Sequence, residues 1–311
     1  LGATETDLSV FKEIGIDILR MDFSFNDERD ATLINNKEGI KIEMSTSFIE
    51  IIEAAIKNGA KPENISTCHN FYPERYTAPS LEAINEINNY WKAKNIPVAI
   101  FISSLVKGSH GPWPVSDGLP TIEEHRDMPI EKQLKHYLAL DNVDEIIIGN
   151  AYASEDEFKA IDQVMKQVYV DVPKNEAFGF LVDFIPHGMI KRVPFKIQLE
   201  EGITELEKEI LFNYPTHSDL GDCMNYMLRS RWTRMIYKGK EIPCRPCTKT
   251  HYTRGDVVIV NDNLAHYRGE IQIVLKDMKV DGQRNLLGRI DESEIFILEH
   301  IKAKDIFTFV E

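Results

Sequence analysis

Along the first two-thirds of the chain, short apolar runs alternate with segments whose apolar residues recur every three or four positions. The runs at 16–23, 40–45, 65–69, 97–102 and 145–149 read as five buried strands. Between them, residues 47–58 place Phe48, Ile51, Ile52, Ala55 and Ile56 on one helical stripe, closed by Asn58-Gly59. Ser80 opens a helix to about residue 94, with Leu81, Ile84, Ile87 and Trp91 on its apolar face. Residues 130–140 are helical, and Ser154 caps a further helix through about residue 168. Strands alternating with helices of this length predict βαβ units and a parallel sheet.

After about residue 170 the period changes to two. Residues 194–199, 256–260 and 269–275 alternate apolar and polar, and 289–290, 295–298 and 307–310 supply further short strands. Turn residues at 261–263, 281–282 and 288 separate them. This predicts a second, mainly β domain, a small barrel or sandwich. The boundary falls near residue 193, giving domains 1–193 and 194–311.

Composition then narrows the function. The 311 residues carry 36 Lys+Arg against 50 Asp+Glu, a formal charge of −14. That balance argues against nucleic acid as a partner, which needs clustered cations. No apolar run approaches the roughly 20 residues of a membrane span. Four cysteines are too sparse for a disulfide scaffold and point to a reducing compartment. Cys244 and Cys247 are the one close pair; with His251, and Cys223 or His217 from afar, they could hold zinc. The simpler reading is a turn fixed by Pro246, and no metal is predicted. Neither a P-loop, a dinucleotide fingerprint nor a nucleophile elbow occurs, and no cofactor is predicted.

The polar residues just after each strand mark a rim: Asp22, Ser45, His69-Asn70, Ser103 and Asn150. In parallel α/β folds the active site lies at these C-terminal strand ends. His69, Asn70 and Tyr72 suit recognition of sugar hydroxyl and acetamido groups, with Tyr72 or Phe71 stacking on a ring. Asp22 and Glu43 lie on adjacent strands. Glycoside hydrolysis commonly uses two carboxyl groups, roughly 5–5.5 Å apart for retention or 6.5–9.5 Å for inversion. The same two residues would equally serve a rim salt bridge with Arg20 or Arg75. The long loop after the fourth strand offers Trp113 as a sugar platform. Within it Thr121 and Glu124 read as a capping box, leaving Glu123, His125 and Arg126 for a ligand. Arg126 could take a phosphate or form a surface ion pair. In the second domain Arg229, Arg234, Arg254 and Tyr267 form a cationic group in an acidic chain. It fits an anionic ligand as well as an interdomain salt-bridge set.

HNFYP at 69–73, GLPTIEEHR at 118–126 and EIIIG at 145–149 resemble the bacterial 6-phospho-N-acetylmuramidases. Arg229-Ser230 through Arg234, RGD at 254–256, YRGEIQI at 267–273 and NLLGRI at 285–290 resemble the same family's C-terminal half. The resemblance implies a (β/α)8 TIM barrel followed by a cyclophilin-like β domain. It implies cytoplasmic hydrolysis of N-acetylmuramic acid 6-phosphate–N-acetylglucosamine during peptidoglycan recycling. Asp22 and Glu43 would then be catalytic. His69, Asn70, Tyr72, Glu123, His125, Arg126, Asn150, Arg229, Arg234 and Tyr267 would contact this phosphorylated amino-sugar disaccharide.

The chain departs from that family in three places. Asn150 stands where the family usually has Asp, residues 170–192 read as longer and less regular, and three barrel strands usually precede the position of Leu1. Five βα units in about 193 residues also fall short of the roughly 200 a closed eight-stranded barrel needs. The expectation is an N-terminally incomplete barrel with a gap beside the strand at 16–23. The alternative function is a non-hydrolytic sugar-phosphate binder. A Schiff-base aldolase ranks below both, because Lys107 is the lone lysine near a strand end.

Overall fold

The computed structural model describes residues 6–111, 113–175, 179, 182–222 and 224–311. The chain is mixed α/β and divides into two compact units, residues 1–159 and 160–311.

In the first unit, a short helix α1 (Ser9–Glu13) leads into β1 (Ile18–Met21), α2 (Glu28–Ile34), β2 (Lys41–Ser45), α3 (Ile49–Lys57), β3 (Ile65–Cys68), α4 (Leu81–Lys92), β4 (Val98–Ile102), α5 (Ile130–Leu140) and β5 (Glu145–Ile148). Helix α6 (Glu155–Val168) runs across the division. The five strands form one parallel sheet in the order β1-β2-β3-β4-β5. Parallel neighbours need crossovers, and α2 to α5 supply them. Among the described residues β1 and β5 are the two edges, so these strands form no closed barrel. The four side chains of the β5 run are only half-buried, as an edge allows.

Strand parity decides what faces where. Leu19 and Met21 of β1 and Ile42 and Met44 of β2 pack into a core with Leu33, Ile34, Ile52, Ala55 and Trp91 from the helices. Burying each such side chain contributes roughly 1.5–3 kcal/mol. Alternation then sends Arg20, Glu43, Ser66 and Cys68 to the opposite face. The helix ends follow their capping residues. Ser80 Oγ accepts the Ala83 N–H at 3.3 Å, and Ser154 Oγ accepts the Glu157 N–H at 3.1 Å.

The second unit opens with an antiparallel hairpin, β6 (Tyr169–Val172) and β7 (Gly188–Lys191), where the sequence looked irregular. Next come β8 (Val193–Leu199), α7 (Glu205–Asn213), β9 (His217–Ser218), β10 (Met227–Ser230), α8 (Thr233–Ile236), β11 (His251–Tyr252), β12 (Asp256–Val260), β13 (Ile271–Val274), β14 (Met278–Lys279), β15 (Arg284–Ile290) and β16 (Ile306–Val310). Seven of them make one sheet, β10-β13-β12-β15-β8-β16-β9. At the β15–β8 crossing a Cβ on Gly288 would lie 2.3 Å from the Gln198 carbonyl oxygen, so only glycine fits.

Two local readings are corrected. Residues 295–298 are not a strand but part of a 3-10 helix, Glu292–Glu299. Asp291 Oδ1 caps it at Ser293 N, and Glu294 is drawn inward to accept the Lys196 N–H at 2.8 Å. Helix α7 was hidden behind the period-two pattern, although Thr204 and Glu207 form a full capping box there.

Candidate active site

The parallel register sets Arg20 beside Glu43, and Glu43 beside Ser66, across three adjacent strands. Arg20 is the hub. Its Nε donates to Asp22 Oδ1 at 3.4 Å and its Nη1 to Glu43 Oε1 at 3.3 Å. Its Nη2 donates to Asn70 Oδ1 at 2.8 Å, and both terminal nitrogens reach the His69 carbonyl at 3.4 Å. One guanidinium therefore ties together Asp22, Glu43, Asn70 and the backbone of His69.

The two carboxylates sit in different surroundings. The Glu43 side chain is 9% exposed and that of Asp22 is 87% exposed. Burial pushes the Glu43 carboxyl above the usual carboxylate range, with Arg20 pulling in the opposite direction and Glu145 adding like charge. The neighbouring Cys68 thiol is pushed up to about 12 by burial and stays neutral. Ser66 Oγ, on the same face as Glu43, is buried and makes no hydrogen bond.

His69 turns inward. Its Nδ1 lies 3.0 Å from Thr46 Oγ1 and its Nε2 lies 2.6 Å from Asn88 Oδ1. Asn88 Nδ2 in turn donates to Asn142, which fixes the Asn88 oxygen toward the ring, so Nε2 carries the proton. Burial holds the imidazole down to about 4. The ring is thus a neutral strut beneath the rim, not a side chain presented to a sugar. Asn70 and half-buried Tyr72 remain on the rim, whereas Phe71 is committed to an edge contact with Phe101 at 5.2 Å.

The loop residues form a separate internal cluster. Arg126 is 2% exposed and gives all five N–H groups away, to both oxygens of Glu123 and to the carbonyls of Tyr72, Asp117 and Glu74. No donor is left for a phosphate. Glu123 also accepts the Tyr76 and Ala78 N–H groups, and Arg126 holds its carboxyl down to about 2. His125 is fully buried, with Nε2 2.8 Å from His136 Nδ1. Thr121 does not cap; it accepts from Phe101 N and donates to the Asn70 carbonyl. Asn150 is buried, its Oδ1 accepting from Ser104 N at 2.8 Å and Ser103 Oγ at 3.3 Å. Glu123, His125, Arg126 and Asn150 thus hold loops together, while His125 Nδ1 and Asn150 Nδ2 are buried with no hydrogen bond. Trp113 is 61% exposed. A cavity of about 450 Å³ opens on the loops after β3 and β4, lined by Arg75, Ser104, Lys107, Ser109, Asp117 and Arg126 among others.

In the second unit, Arg229 and Arg234 lie 5.5 and 5.0 Å from the Tyr267 ring centre. Arg229 grips the fully buried Glu270 carboxylate, and Arg234 Nη1 stands 3.6 Å from it without a hydrogen bond. Gln272 links Glu270 to Arg284. One carboxylate thus faces two guanidinium groups, with a third, Arg284, held one amide away. The zinc reading finds no support in its described members: Cys244 is exposed with its thiol on the Gly282 carbonyl, Cys247 packs against an apolar cluster, and Cys223 lies outside the described residues.

Sequence reasoning undervalued Arg20 and missed Asn88. Asn88 sits four residues from Ile84 on the apolar stripe of α4, where a buried amide signals a partner.

The fold is a parallel α/β unit, in which Arg20 bridges Asp22 and Glu43, joined to a β-rich unit. The chain matches the 6-phospho-N-acetylmuramidase N-terminal family over residues 1–163 and the C-terminal family over residues 193–310. It belongs to the 6-phospho-N-acetylmuramidase family. Two solved structures resemble it. An uncharacterized B. cereus protein is 35% identical with a TM-score of 0.83, covering 100% of this chain and 82% of that one. A conserved Enterococcus faecalis protein of unknown function is 25% identical with a TM-score of 0.62, covering 98% and 74%. None of the curated proteins matches the chain. No helix among the described residues is long and apolar enough to cross a membrane.

Proposed function

We propose that the chain is a glycoside hydrolase that cleaves N-acetylmuramic acid 6-phosphate–N-acetylglucosamine in the cytoplasm during peptidoglycan recycling. The observation that carries this reading is the pair Asp22 and Glu43, bridged by one guanidinium at the strand-end rim. Their environments divide the work. Glu43, buried and raised, is the general acid toward the leaving oxygen; exposed Asp22 is the base or nucleophile. Asn70 and Tyr72 position the sugar, and the cavity after β3 and β4 is large enough for a sugar ring. Arg229, Arg234 and Tyr267 form an anion site of the second unit, suited to a phosphate or a lactyl carboxylate. The family name, which specifies a phosphorylated muramic acid, supports this substrate class. The reading extends to a (β/α)8 barrel and a cyclophilin-like domain meeting near residue 193.

Asp22→Asn and Glu43→Gln, assayed on the phosphorylated disaccharide, test the reading. Each is expected to lose at least a hundredfold in turnover; near-wild-type turnover in both sinks it. A second reading, binding without hydrolysis, rests on Asn150, an amide where the family usually has an acid. Thermal stabilisation by the disaccharide without product release would favour it.

A further inference from the structure

We propose that Arg20 is the positioning residue of the Asp22–Glu43 site, fixing both the aim and the protonation of Glu43. The inference rests on the glycosidase reading for its catalytic consequence, but its physical content is independent of that reading. Geometry carries it. A buried carboxylate needs a charged or hydrogen-bonding partner, and Arg20 is the cation paired with Glu43. Of the other groups facing Glu43, Cys68 on β3 is a neutral thiol that offers a hydrogen bond but no charge, and Glu145 on β5 carries like charge. Asp22, on the far side of the guanidinium, competes for the same cation.

The planar fork matters as well as the charge. Arg20 uses its Nε for Asp22, its Nη1 for Glu43 and its Nη2 for Asn70, with both terminal nitrogens on the His69 carbonyl. Lysine has a point charge and cannot span these four acceptors. Arg20 thus couples the position of a sugar-contacting amide to the position of the acid.

The test is a carboxyl-carbon NMR titration of the whole chain labelled at glutamate, with the Glu43 signal assigned by its loss in Glu43→Gln. In Arg20→Gln the Glu43 midpoint is expected to rise by at least one pH unit, a tenfold gain in proton affinity. In Arg20→Lys it should stay near wild type while kcat falls at least tenfold. On the disaccharide, the alkaline limb of kcat/KM should move upward in Arg20→Gln, since an acid is lost as pH rises through its midpoint. A Glu43 midpoint unchanged in Arg20→Gln overturns the proposal, as does full activity of Arg20→Lys. If Arg20→Gln fails to fold, Arg20→Lys decides alone: wild-type kcat refutes the fork, and a tenfold loss with an unmoved midpoint supports it. Failure of the glycosidase reading shows instead as activity retained in both carboxylate variants, whatever the Glu43 midpoint does.

Discussion

Arg229 holds the fully buried carboxylate of Glu270 through two hydrogen bonds, 2.6 Å from Nε to Oε1 and 3.0 Å from Nη2 to Oε2. Removing one partner of such a pair strands the other charge. Glu270→Gln is expected to destabilise the second unit by about 3 kcal/mol in a urea titration. An unchanged midpoint would mean that solvent compensates the guanidinium groups.

Arg126 should matter to stability and not to ligand charge. Arg126→Ala leaves Glu123 and three carbonyls without their donor, a loss of about 3–5 kcal/mol. Arg126→Lys recovers only part, because three N–H groups replace five. Calorimetric affinity for a phosphorylated sugar, per folded molecule, should stay within a factor of two of wild type. A loss of ten-fold or more would return Arg126 to the binding site.

Buried histidines predict acid sensitivity. His69 is held down to about 4 and His217 down to about 3, both by burial, from an ordinary value near 6.5. Below pH 6.5 the unfolded chain takes up protons that the folded rings refuse. Stability is therefore complete above pH 6.5 and falls as pH drops toward 4, by about 1.4 kcal/mol per pH unit per ring. Denaturation midpoints at pH 7, 5.5 and 4.5 check this. His69→Gln should flatten the slope of the first unit, and His217→Gln that of the second.

Gly149 is fixed by a close approach. A Cβ there would lie 2.8 Å from the Leu119 carbonyl oxygen and 3.0 Å from Leu119 Cβ. Gly149→Ala is expected to cost about 1–3 kcal/mol in thermal unfolding. A melting temperature equal to wild type would show that the 118–126 loop can shift.

The sheet of the first unit was legible from the continuous apolar runs of β4 and β5 and the apolar residues of β1 to β3, each followed by polar residues, as at Ile148-Gly149-Asn150. Asp22, Glu43 and Asn70 came from the same rim. What stayed hidden depended on which way a side chain turns. HNFYP places His69 at the rim, yet Thr46 and Asn88 draw the ring inward from residues 23 and 19 positions away. Arg126 looked like an exposed cation because three of its acceptors are backbone carbonyls, which carry no sequence signature. The apolar run 295–298 looked like a strand because four consecutive apolar residues suit a buried 3-10 helix equally well.

The saturation of Arg126 also has a mechanical side. Its five bonds tie residues 117 and 123 to residues 72 and 74, so the second half of the loop after β4 travels with the end of β3 as one body. Separating the two means breaking the bonds to the Tyr72 and Glu74 carbonyls together. Change in that loop without loosening the rim is thereby confined to its first half, where Leu105, Lys107 and Trp113 are exposed.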